Sequence, residues 1–331
     1  MKRAFALLGA LVLIGCAPAV SSPPHDDQWV NFDVVATPLT VRRDEVGSLR
    51  FRGGFDLHAP AEPNFAGLSG LEVLEDNRFY AVSDDGDWFD GRLVLDEAGA
   101  LAGVADVRIA SLRNEHGAPM ELKTEWDAED LAQLPDGRFA VSFEQTQTIR
   151  LYDLNRDGPF GAARMGPRLL GVAGLPLNEG LEAIAATPDG ALLVGAEGGS
   201  DTSTTLWLAR PDAAEPALET ARYPLHRGYG LTSLDRLPDG DFVALERFYA
   251  PVVGARARIT RFALSDIKSG AVLNVQELAH LAPPFPVDNF EAISAVRAPD
   301  GGVRLYILSD DNFRSRQRTL LLAFDLAAPS R

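Results

Sequence analysis

Short apolar runs separated by a recurring polar turn dominate the chain from about residue 68 onward. One unit shows the pattern: an apolar run at residues 182–186, the turn Pro188-Asp189-Gly190, and a second apolar run at 192–196. Proline fixes its own φ and glycine tolerates a positive φ, so this turn favours a β-hairpin. Two further strand-like runs follow at 205–208 and 218–223. Each unit is therefore predicted to contain four strands.

This unit occurs five times along the chain. The copies align on their turns, and four of the five turns are Pro-Asp-Gly. We predict that the copies begin near Leu68, Ala128, Gly180, Gly230 and Phe290. A repeat of about fifty residues with four strands is typical of β-propellers. The predicted fold class is therefore all-β, a single β-propeller of five four-stranded blades.

The last copy is one strand short, and two strand-like segments stand before the first copy. They cover residues 30–41 and 49–57. We expect these segments to complete the last blade and close the ring. The alternative is that they belong to a sixth blade. No segment of the mature chain shows a helical period of convincing length.

The N-terminus has the layout of a secretory signal. Lys2 and Arg3 precede an uncharged apolar run at residues 4–15, which is too short to span a bilayer. The run ends in Leu13-Ile14-Gly15-Cys16, which resembles the lipobox of bacterial lipoprotein signals. The predicted organisation is a signal peptide at 1–15, a diacylglycerol-modified Cys16, a flexible tether at 16–29 and the propeller domain at 30–331. The alternative is an ordinary signal cleaved after Ala19, which would discard the cysteine.

Charge and cysteine content narrow the possible partners and locations. Cys16 is the only cysteine, so no disulfide can form within the chain. The formal net charge of −16 argues against a nucleic-acid partner and suits cation binding. We expect an exported monomer that touches the membrane only through its lipid anchor. Ala17, rather than Asp, after the cysteine points to the periplasmic side of the outer membrane.

Polar residues recur where the first strand of each unit begins and where its second strand ends. A hairpin brings these two positions to one face of a propeller, around the mouth of its central channel. Hard oxygen ligands gathered in this way suit a divalent cation, with Ca²⁺ expected. The alternative is that they only hydrogen-bond neighbouring blades. The predicted metal ligands are Glu129, Glu182, Glu291, Asp84, Glu144, Glu197 and Asp310; Ser69, Thr232 and Glu246 complete the two sets.

Basic residues are predicted at the same level of the fold. His226 and Arg227 precede the fourth unit, Arg247 follows its second strand, and Arg314 lies in the fifth. Guanidinium groups bind phosphate or carboxylate through paired hydrogen bonds. We therefore predict Glu182, Arg247 and His226 as catalytic residues and Arg227, Arg247 and Arg314 as substrate-binding residues. The alternative is simple ion pairing with the acidic residues.

Motifs at these positions resemble those of the bacterial phytase-like family, described as having the esterase-like activity of phytase. The resemblance covers about residues 49–326. It implies a propeller and suggests phosphoester hydrolysis. The motifs are Phe65-Ala66-Gly67-Leu68-Ser69-Gly70-Leu71, Asp127-Ala128-Glu129-Asp130-Leu131, Asn178-Glu179-Gly180-Leu181-Glu182, Gly228-Tyr229-Gly230-Leu231-Thr232, Leu245-Glu246-Arg247 and Asp288-Asn289-Phe290-Glu291.

Three functions remain open from the sequence. The leading hypothesis is an exported, divalent-metal-dependent hydrolase of small anionic phosphoesters or other esters. The second is a non-catalytic, envelope-anchored propeller that binds a ligand or a protein at the same mouth. The third is a lactonase-like enzyme, since such propellers also hold a divalent cation with channel carboxylates.

Overall fold

The computed structural model of the protein describes residues 28–120, 122–176, 179–200 and 202–327. The predicted signal peptide, the lipidation site Cys16 and the tether up to residue 27 lie outside these ranges. No helix of the described chain is long and apolar enough to cross a membrane.

Strands make up most of the described chain, and its helices are single turns. The helices are α1 (Lys123–Trp126) and α2 (Leu154–Asp157), with 3₁₀ turns at Gly158–Phe160, Val172–Gly174 and Leu264–Asp266. The strands are β1 (Val30–Asn31), β2 (Val35–Pro38), β3 (Glu45–Val46), β4 (Leu49–His58), β5 (Leu68–Val73), β6 (Arg78–Ser83), β7 (Asp87–Leu95), β8 (Leu101–Ser111), β9 (Ala128–Gln133), β10 (Phe139–Phe143), β11 (Thr148–Tyr152), β12 (Arg164–Met165), β13 (Leu181–Ala186), β14 (Leu192–Ser200), β15 (Ser203–Ala209), β16 (Glu219–Pro224), β17 (Gly230–Arg236), β18 (Phe242–Ala250), β19 (Gly254–Phe262), β20 (Ala271–Val272), β21 (Gln276–Leu281), β22 (Asn289–Arg297), β23 (Val303–Asp310) and β24 (Thr319–Leu326).

Five sheets form the five predicted blades. From the channel outward, the first four are β5-β6-β7-β8-β1, β9-β10-β11-β12, β13-β14-β15-β16-β20 and β17-β18-β19-β21. The fifth is β22-β23-β24-β4-β2, with β3 paired to β4. The innermost strands β5, β9, β13, β17 and β22 contact one another in that order, and β22 returns to β5. The fold is therefore a closed five-bladed β-propeller, as the repeat predicts.

The N-terminal strands complete the fifth blade. Strand β4 pairs with β24 in an antiparallel register that runs from Leu49 opposite Leu326 to Leu57 opposite Thr319. The first strand of the described chain, β1, adds instead to the outer edge of the first blade, with Val30 opposite Ile109. The prediction that N-terminal strands close the ring is confirmed, and the six-blade alternative is wrong.

The second strands of the blades are apolar along nearly their whole length because both of their faces are buried. Each lies between two other strands of its own blade, and the blade lies between two neighbouring blades. Leu192, Leu193 and Val194 of β14 are all fully buried. Val194 packs in one apolar cluster with the second blade, and Leu193 packs in another with the fourth. A short uninterrupted apolar run is the pattern that such a two-sided strand produces.

The hairpin between the first two strands turns on a residue with positive φ in every blade. Gly137, Gly190, Gly240 and Gly301 have φ between 81° and 95°, which glycine adopts without steric cost. In the first blade Asn77 holds the same place at φ 66°. Asparagine tolerates this left-handed region better than most residues. We call the side that carries these turns the turn face and the opposite side the mouth face.

Candidate functional site

A β-bulge lies near the start of every first strand, on the mouth face. In β13, Leu181 pairs with Ala196 and Ala183 with Gly195, so Glu182 is an extra residue without a partner. The pairing shifts in the same way in β5, β17 and β22. In β9 the shift leaves Glu129 and its neighbour Asp130 opposite one residue of β10. A bulge re-aims a side chain locally, and the bulged residues are Ser69, Glu129, Glu182, Thr232 and Glu291.

These bulges border a cavity of about 280 Å³ at the channel mouth, here called the mouth cavity. All seven predicted metal ligands line it, and so does one residue predicted as catalytic and substrate-binding, Arg247. Eight carboxylates and two basic side chains lie in its wall. Its lining residues are Gly67, Ser69, Asp84, Lys123, Asp127, Glu129, Glu144, Gln145, Glu182, Glu197, Arg247, Glu291, Asp310 and Asn312.

In the fourth blade an arginine takes the place that acidic residues occupy in the other four. Strand pairing sets Leu231 opposite Glu246, whereas Leu181 in the third blade lies opposite Ala196. Arg247 is therefore the counterpart of Glu197, one position later than the sequence alignment predicted. Glu246 is fully buried instead, where it accepts hydrogen bonds from the Tyr223 hydroxyl (2.7 Å) and from Arg258 (2.5 Å).

Arg247 neutralises one side of the mouth cavity. Its guanidinium donates to Glu197 Oε1 at 2.6 Å, to Glu291 Oε1 at 2.5 Å and to Asn289 Oδ1 at 2.8 Å. Burial alone would lower the pKa of this guanidinium, but the carboxylates of Glu291, Glu197 and Glu182 raise it above its usual value. Arg247 is therefore a permanent positive charge, ion-paired to acids of the third and fifth blades.

The other side of the cavity gathers acids with less compensation. Asp127, Glu129 and Glu144 each offer one carboxylate oxygen, and these oxygens lie within 4.8 Å of one another. Among the described residues, the only basic side chain lining this side is Lys123, whose Nζ lies 2.9 Å from Asp127 and 3.9 Å from Asp84. Asp84 Oδ1 is buried and has no hydrogen-bond partner among the described residues.

Burial and nearby carboxylates raise the pKa values of several of these carboxyl groups, so the groups stay protonated to a higher pH than usual. Burial, followed by the neighbouring Asp310, raises the pKa of Asp84 to about 8. Burial also raises the pKa values of Glu291 and Asp310 to about 7 each. The pKa values of Glu129 and Glu182 are raised well above normal, first by burial and then by the surrounding carboxylates.

These features fit a divalent cation on the side of Asp127, Glu129 and Glu144. Carboxylate oxygens are the donors that Ca²⁺ and Mg²⁺ prefer. The unpartnered oxygen of Asp84 supplies a further donor nearby, and a cation would offset the like-charge repulsion that raises these pKa values. The position of the cluster in the wall of an open cavity leaves room for a ligand beside it.

Three of the predicted site residues do not line the mouth cavity. His226 is exposed; its ring lies against Tyr229, and its backbone N–H donates to Glu246 Oε2 at 3.0 Å. Arg227 and Arg314 are exposed on mouth-face loops, outside the cavity wall. The structure thus gathers the predicted acids with Arg247 and sets these three residues apart from them.

The structure adds two charged residues that the sequence did not assign, Asp127 and Lys123. Neither belongs to the repeat, because both lie in the connection between the first and second blades. Asp127 is 5% exposed and also accepts a hydrogen bond of 2.6 Å from Gln145 Nε2. The one sequence signal was the position of Asp127 in the motif that contains Glu129.

Below the mouth, Asp130 fills the channel. One carboxylate oxygen accepts from the Ile184 N–H at 3.1 Å, from the Ser233 hydroxyl at 3.0 Å and from the Leu234 N–H at 3.4 Å. A separate cavity of about 490 Å³ opens on the turn face and is lined by Glu72, Asp235 and Arg236 among others. Glu72 and Asp235 of that cavity accept backbone hydrogen bonds. The mouth cavity is the better candidate for cation-dependent chemistry, because it holds the described carboxylate oxygens that lie within 4.8 Å of one another.

Structural comparison finds several other propellers with low sequence identity. The PQQ-bound aldose sugar dehydrogenase from Streptomyces coelicolor is 14% identical, with 92% of this chain and 100% of that chain covered and a TM-score of 0.42. The PQQ domain of pyranose dehydrogenase from Coprinopsis cinerea is 10% identical, with 92% and 98% covered and a TM-score of 0.43. Virginiamycin B lyase from Staphylococcus aureus is 12% identical, with 84% and 82% covered and a TM-score of 0.39.

Sequence comparison gives one clear result. The search of curated proteins found no match. The model of the phytase-like family, described as esterase-like activity of phytase, matches residues 63–313. The matched region begins just before the first blade and includes every residue that lines the mouth cavity. The chain therefore belongs to the phytase-like family.

Proposed function

We propose that this protein is a divalent-metal-dependent hydrolase of small anionic esters, with phosphoesters favoured, and that the mouth cavity is its active site. The observation that carries the proposal is the imbalance of charge there: eight carboxylates face two basic side chains around one open cavity. Such an arrangement is stable only if its acids hold protons or share a cation. The family description, esterase-like activity of phytase, supports the same reaction class.

Asp127, Glu129 and Glu144 are the residues proposed to hold the cation, because their oxygens already lie within 4.8 Å of one another. Asp84 is the nearest further donor with an unused oxygen. The chemistry that a divalent cation supplies at such a site is polarisation of the ester oxygen and a lower pKa for a bound water. Ca²⁺ is the favoured ion, because the donors are all hard oxygens on separate loops and strands.

Glu182 is proposed to move the proton during hydrolysis. Its side chain is 7% exposed, lies on a bulge at the cavity wall and shares a hydrogen bond with Glu144. Burial and the nearby Glu129 raise its pKa above the usual range of a glutamate, which makes its carboxylate a stronger base for accepting and returning a proton. The bulge holds this carboxyl at the cavity rather than within the sheet.

Arg247 and Lys123 are proposed to hold the anionic group of the substrate. The charge of Arg247 is fixed by its ion pairs with Glu197 and Glu291, so it stabilises negative charge without changing protonation. Lys123 is half-exposed at the opposite wall and has a flexible stem. An anion between them would meet positive charge on two sides.

The direct test is hydrolysis of an aryl phosphomonoester by the purified protein, with Ca²⁺ or with EDTA. We expect turnover that requires the cation and falls by about a hundredfold or more in Glu182→Gln, the range for loss of a general base. Glu129→Gln should weaken the response to Ca²⁺. Glu97→Gln, which changes an exposed carboxylate on the turn face, is the matched control and should keep full activity.

Three other outcomes would favour other functions. A cation that binds only the folded state raises its stability, by about 2.7 kcal/mol at a hundredfold excess over the dissociation constant. Such stabilisation without turnover of any ester would favour a ligand-binding propeller. Turnover of a lactone but not of a phosphoester would favour a lactonase-like enzyme. If the cation does not stabilise the protein and no ester is hydrolysed, the carboxylates serve only as contacts between blades.

A further inference from the structure

We propose that the mouth face docks on a phospholipid bilayer through a ring of exposed side chains around the mouth cavity, here called the mouth rim. This inference goes beyond the proposed function, because it adds an interaction surface and uses no residue that lines the cavity. The mouth rim combines apolar and basic side chains. Its members are Leu122, Tyr249, Val252, Val253 and Phe313, with Arg227, Arg314 and Arg316.

The apolar members are unusually exposed for large hydrophobic residues. Val252 is 99% exposed, Tyr249 69%, Leu122 59%, Phe313 48% and Val253 47%. Single exposed hydrophobic residues are ordinary, but a concentration of them on one face marks an interaction site. Aromatic and aliphatic side chains of this kind anchor peripheral proteins at the boundary of headgroups and acyl chains.

All five lie on the mouth face, and three of them are close in sequence to residues that line the cavity. Leu122 directly precedes Lys123, and Phe313 directly follows Asn312. Tyr249 lies two residues after Arg247 in the same strand, and alternate residues of a strand share one side. The rim therefore borders the opening of the cavity at the fourth and fifth blades and at the connection between the first and second blades.

The basic members lie on loops of the same face, and Arg314 directly follows Phe313. Arg227, Arg314 and Arg316 are exposed and form no ion pair with any acid of the described chain. Arginine binds phosphate oxygens through paired hydrogen bonds and remains charged at any pH of interest. Free guanidinium groups beside exposed apolar side chains match the phosphate and acyl layers of a bilayer surface.

The point at which the chain enters the propeller favours the same partner. Strand β1 runs from the mouth face along β8, with Val30 opposite Ile109, and this register places Gln28 beside the mouth-face end of β8. Only eleven residues, 17–27, lie between Gln28 and the predicted acylation site Cys16. A random coil of that length, which is what the sequence predicts for the tether, would have a root-mean-square span of roughly 20 Å. An acyl chain on Cys16 would therefore hold the mouth face close to the membrane.

A second copy of the chain fits this rim less well than a bilayer. A two-fold interface sets each patch against itself. Here that would bring two acidic cavities close together, and it would offer the rim arginines no phosphate oxygens. Phospholipid headgroups instead offer phosphate to the arginines, and the acyl layer accepts the apolar side chains.

The test uses the chain beginning at Ala17, which lacks the apolar signal run and Cys16. It keeps every strand of the propeller, because the first begins at Val30 and the last ends at Leu326. We expect it to cosediment with vesicles of phosphatidylethanolamine and phosphatidylglycerol. Val252→Asp combined with Val253→Asp should lower its partition coefficient at least about tenfold, since two aliphatic side chains that would enter the bilayer are replaced by charged ones. Arg314→Glu should lower it about fivefold or more on the anionic vesicles.

Matched controls lie on the turn face. Leu218→Asp changes an apolar side chain that is 68% exposed there, and Arg297→Glu changes an exposed arginine there. Both should bind vesicles as the parent does. The proposal is wrong if the parent chain fails to bind, or if rim and control variants bind equally. It is also wrong if the parent is a dimer in solution that Val252→Asp dissociates, because the rim would then join two copies.

Discussion

At the scale of single residues, the mouth cavity stores protons that an unfolded chain would release. The pKa of Asp84 is raised to about 8, and those of Glu291 and Asp310 to about 7, in each case chiefly by burial. The same side chains ionise near pH 4 in an unfolded chain. Between about pH 4 and pH 8 the folded state therefore binds more protons than the unfolded state.

This difference predicts that the free energy of unfolding decreases as the pH rises from about 4 to 8. The raised pKa values favour the folded protein at low pH, and that advantage is lost as these carboxyls ionise. The measurement is the melting temperature at pH 5 and pH 8 in EDTA, where we expect the lower value at pH 8. Saturating Ca²⁺ should reduce the difference, because a bound cation compensates the ionised carboxylates.

Asp84→Asn offers the internal check on that prediction. The amide cannot ionise, so this variant should show a weaker dependence of the melting temperature on pH than the parent. Asp76→Asn, an exposed aspartate on the turn face, should leave the dependence unchanged. A melting temperature that rises from pH 5 to pH 8 in EDTA would contradict the assignment of protonated carboxyls in the cavity.

The repeat in the sequence predicted most residues of the site because it fixes spacing. Glu144 and Glu197 each stand seven positions after a turn glycine, and the seventh position after Gly240 is Arg247. That spacing could have identified Arg247 instead of Glu246 as the mouth residue of the fourth blade. Asp127 and Lys123 were out of reach for a physical reason: the blade connection has no repeat, so only the folded chain shows where it lies.

At the scale of elements, the bulged first strands explain how a sheet can present acids at its edge. A regular strand alternates its side chains between two packed faces, and either face of a blade is occupied by the next blade. The extra residue at Glu182 or Glu291 escapes this alternation. Sequence periodicity cannot show a bulge. One added polar residue near the beginning of a short strand gives the same sequence pattern as a regular strand that begins with polar residues.

The outer strands of the fifth blade are predicted to be required for cooperative folding of the propeller. Deleting residues 17–58 removes β1 to β4 and leaves β24 with an unpaired edge next to the first blade. It also removes Phe55 and Leu57 from the apolar cluster that the fifth blade shares with the first. We expect loss of the cooperative thermal transition, measured by circular dichroism. Deleting only residues 17–27 should keep it, and equal melting curves for the two deletions would refute the role of β4 in closure.

At the scale of the whole molecule, the predicted anchor and the propeller together describe a tethered protein. We expect the full chain to fractionate with membranes. Its Cys16→Ser variant should hold to membranes less tightly, through the mouth rim alone, or should remain unprocessed, because serine offers no thiol for acylation. The measurement is fractionation with mass determination of the mature protein. An unchanged mature mass and unchanged membrane association in the variant would refute the lipid anchor.

The number of blades was the part of the architecture that the sequence left open. The five repeats predicted five blades, but the pairing of residue 57 with residue 319 joins segments more than 250 positions apart. No local pattern carries such a register. The register of β4 against β24 depends on the space that the other strands leave in the fifth blade, so only the folded ring shows it.

Strand β4 is made early in synthesis, and its partner β24 spans Thr319–Leu326, near the end of the chain. A ribosome builds the chain from its N-terminus, so β4 must wait, unpaired on that side, until almost the whole protein has been made. The ring therefore cannot lock during translation. If the predicted signal peptide directs export, this delay would keep the nascent protein unfolded enough to pass through a membrane before the ring closes.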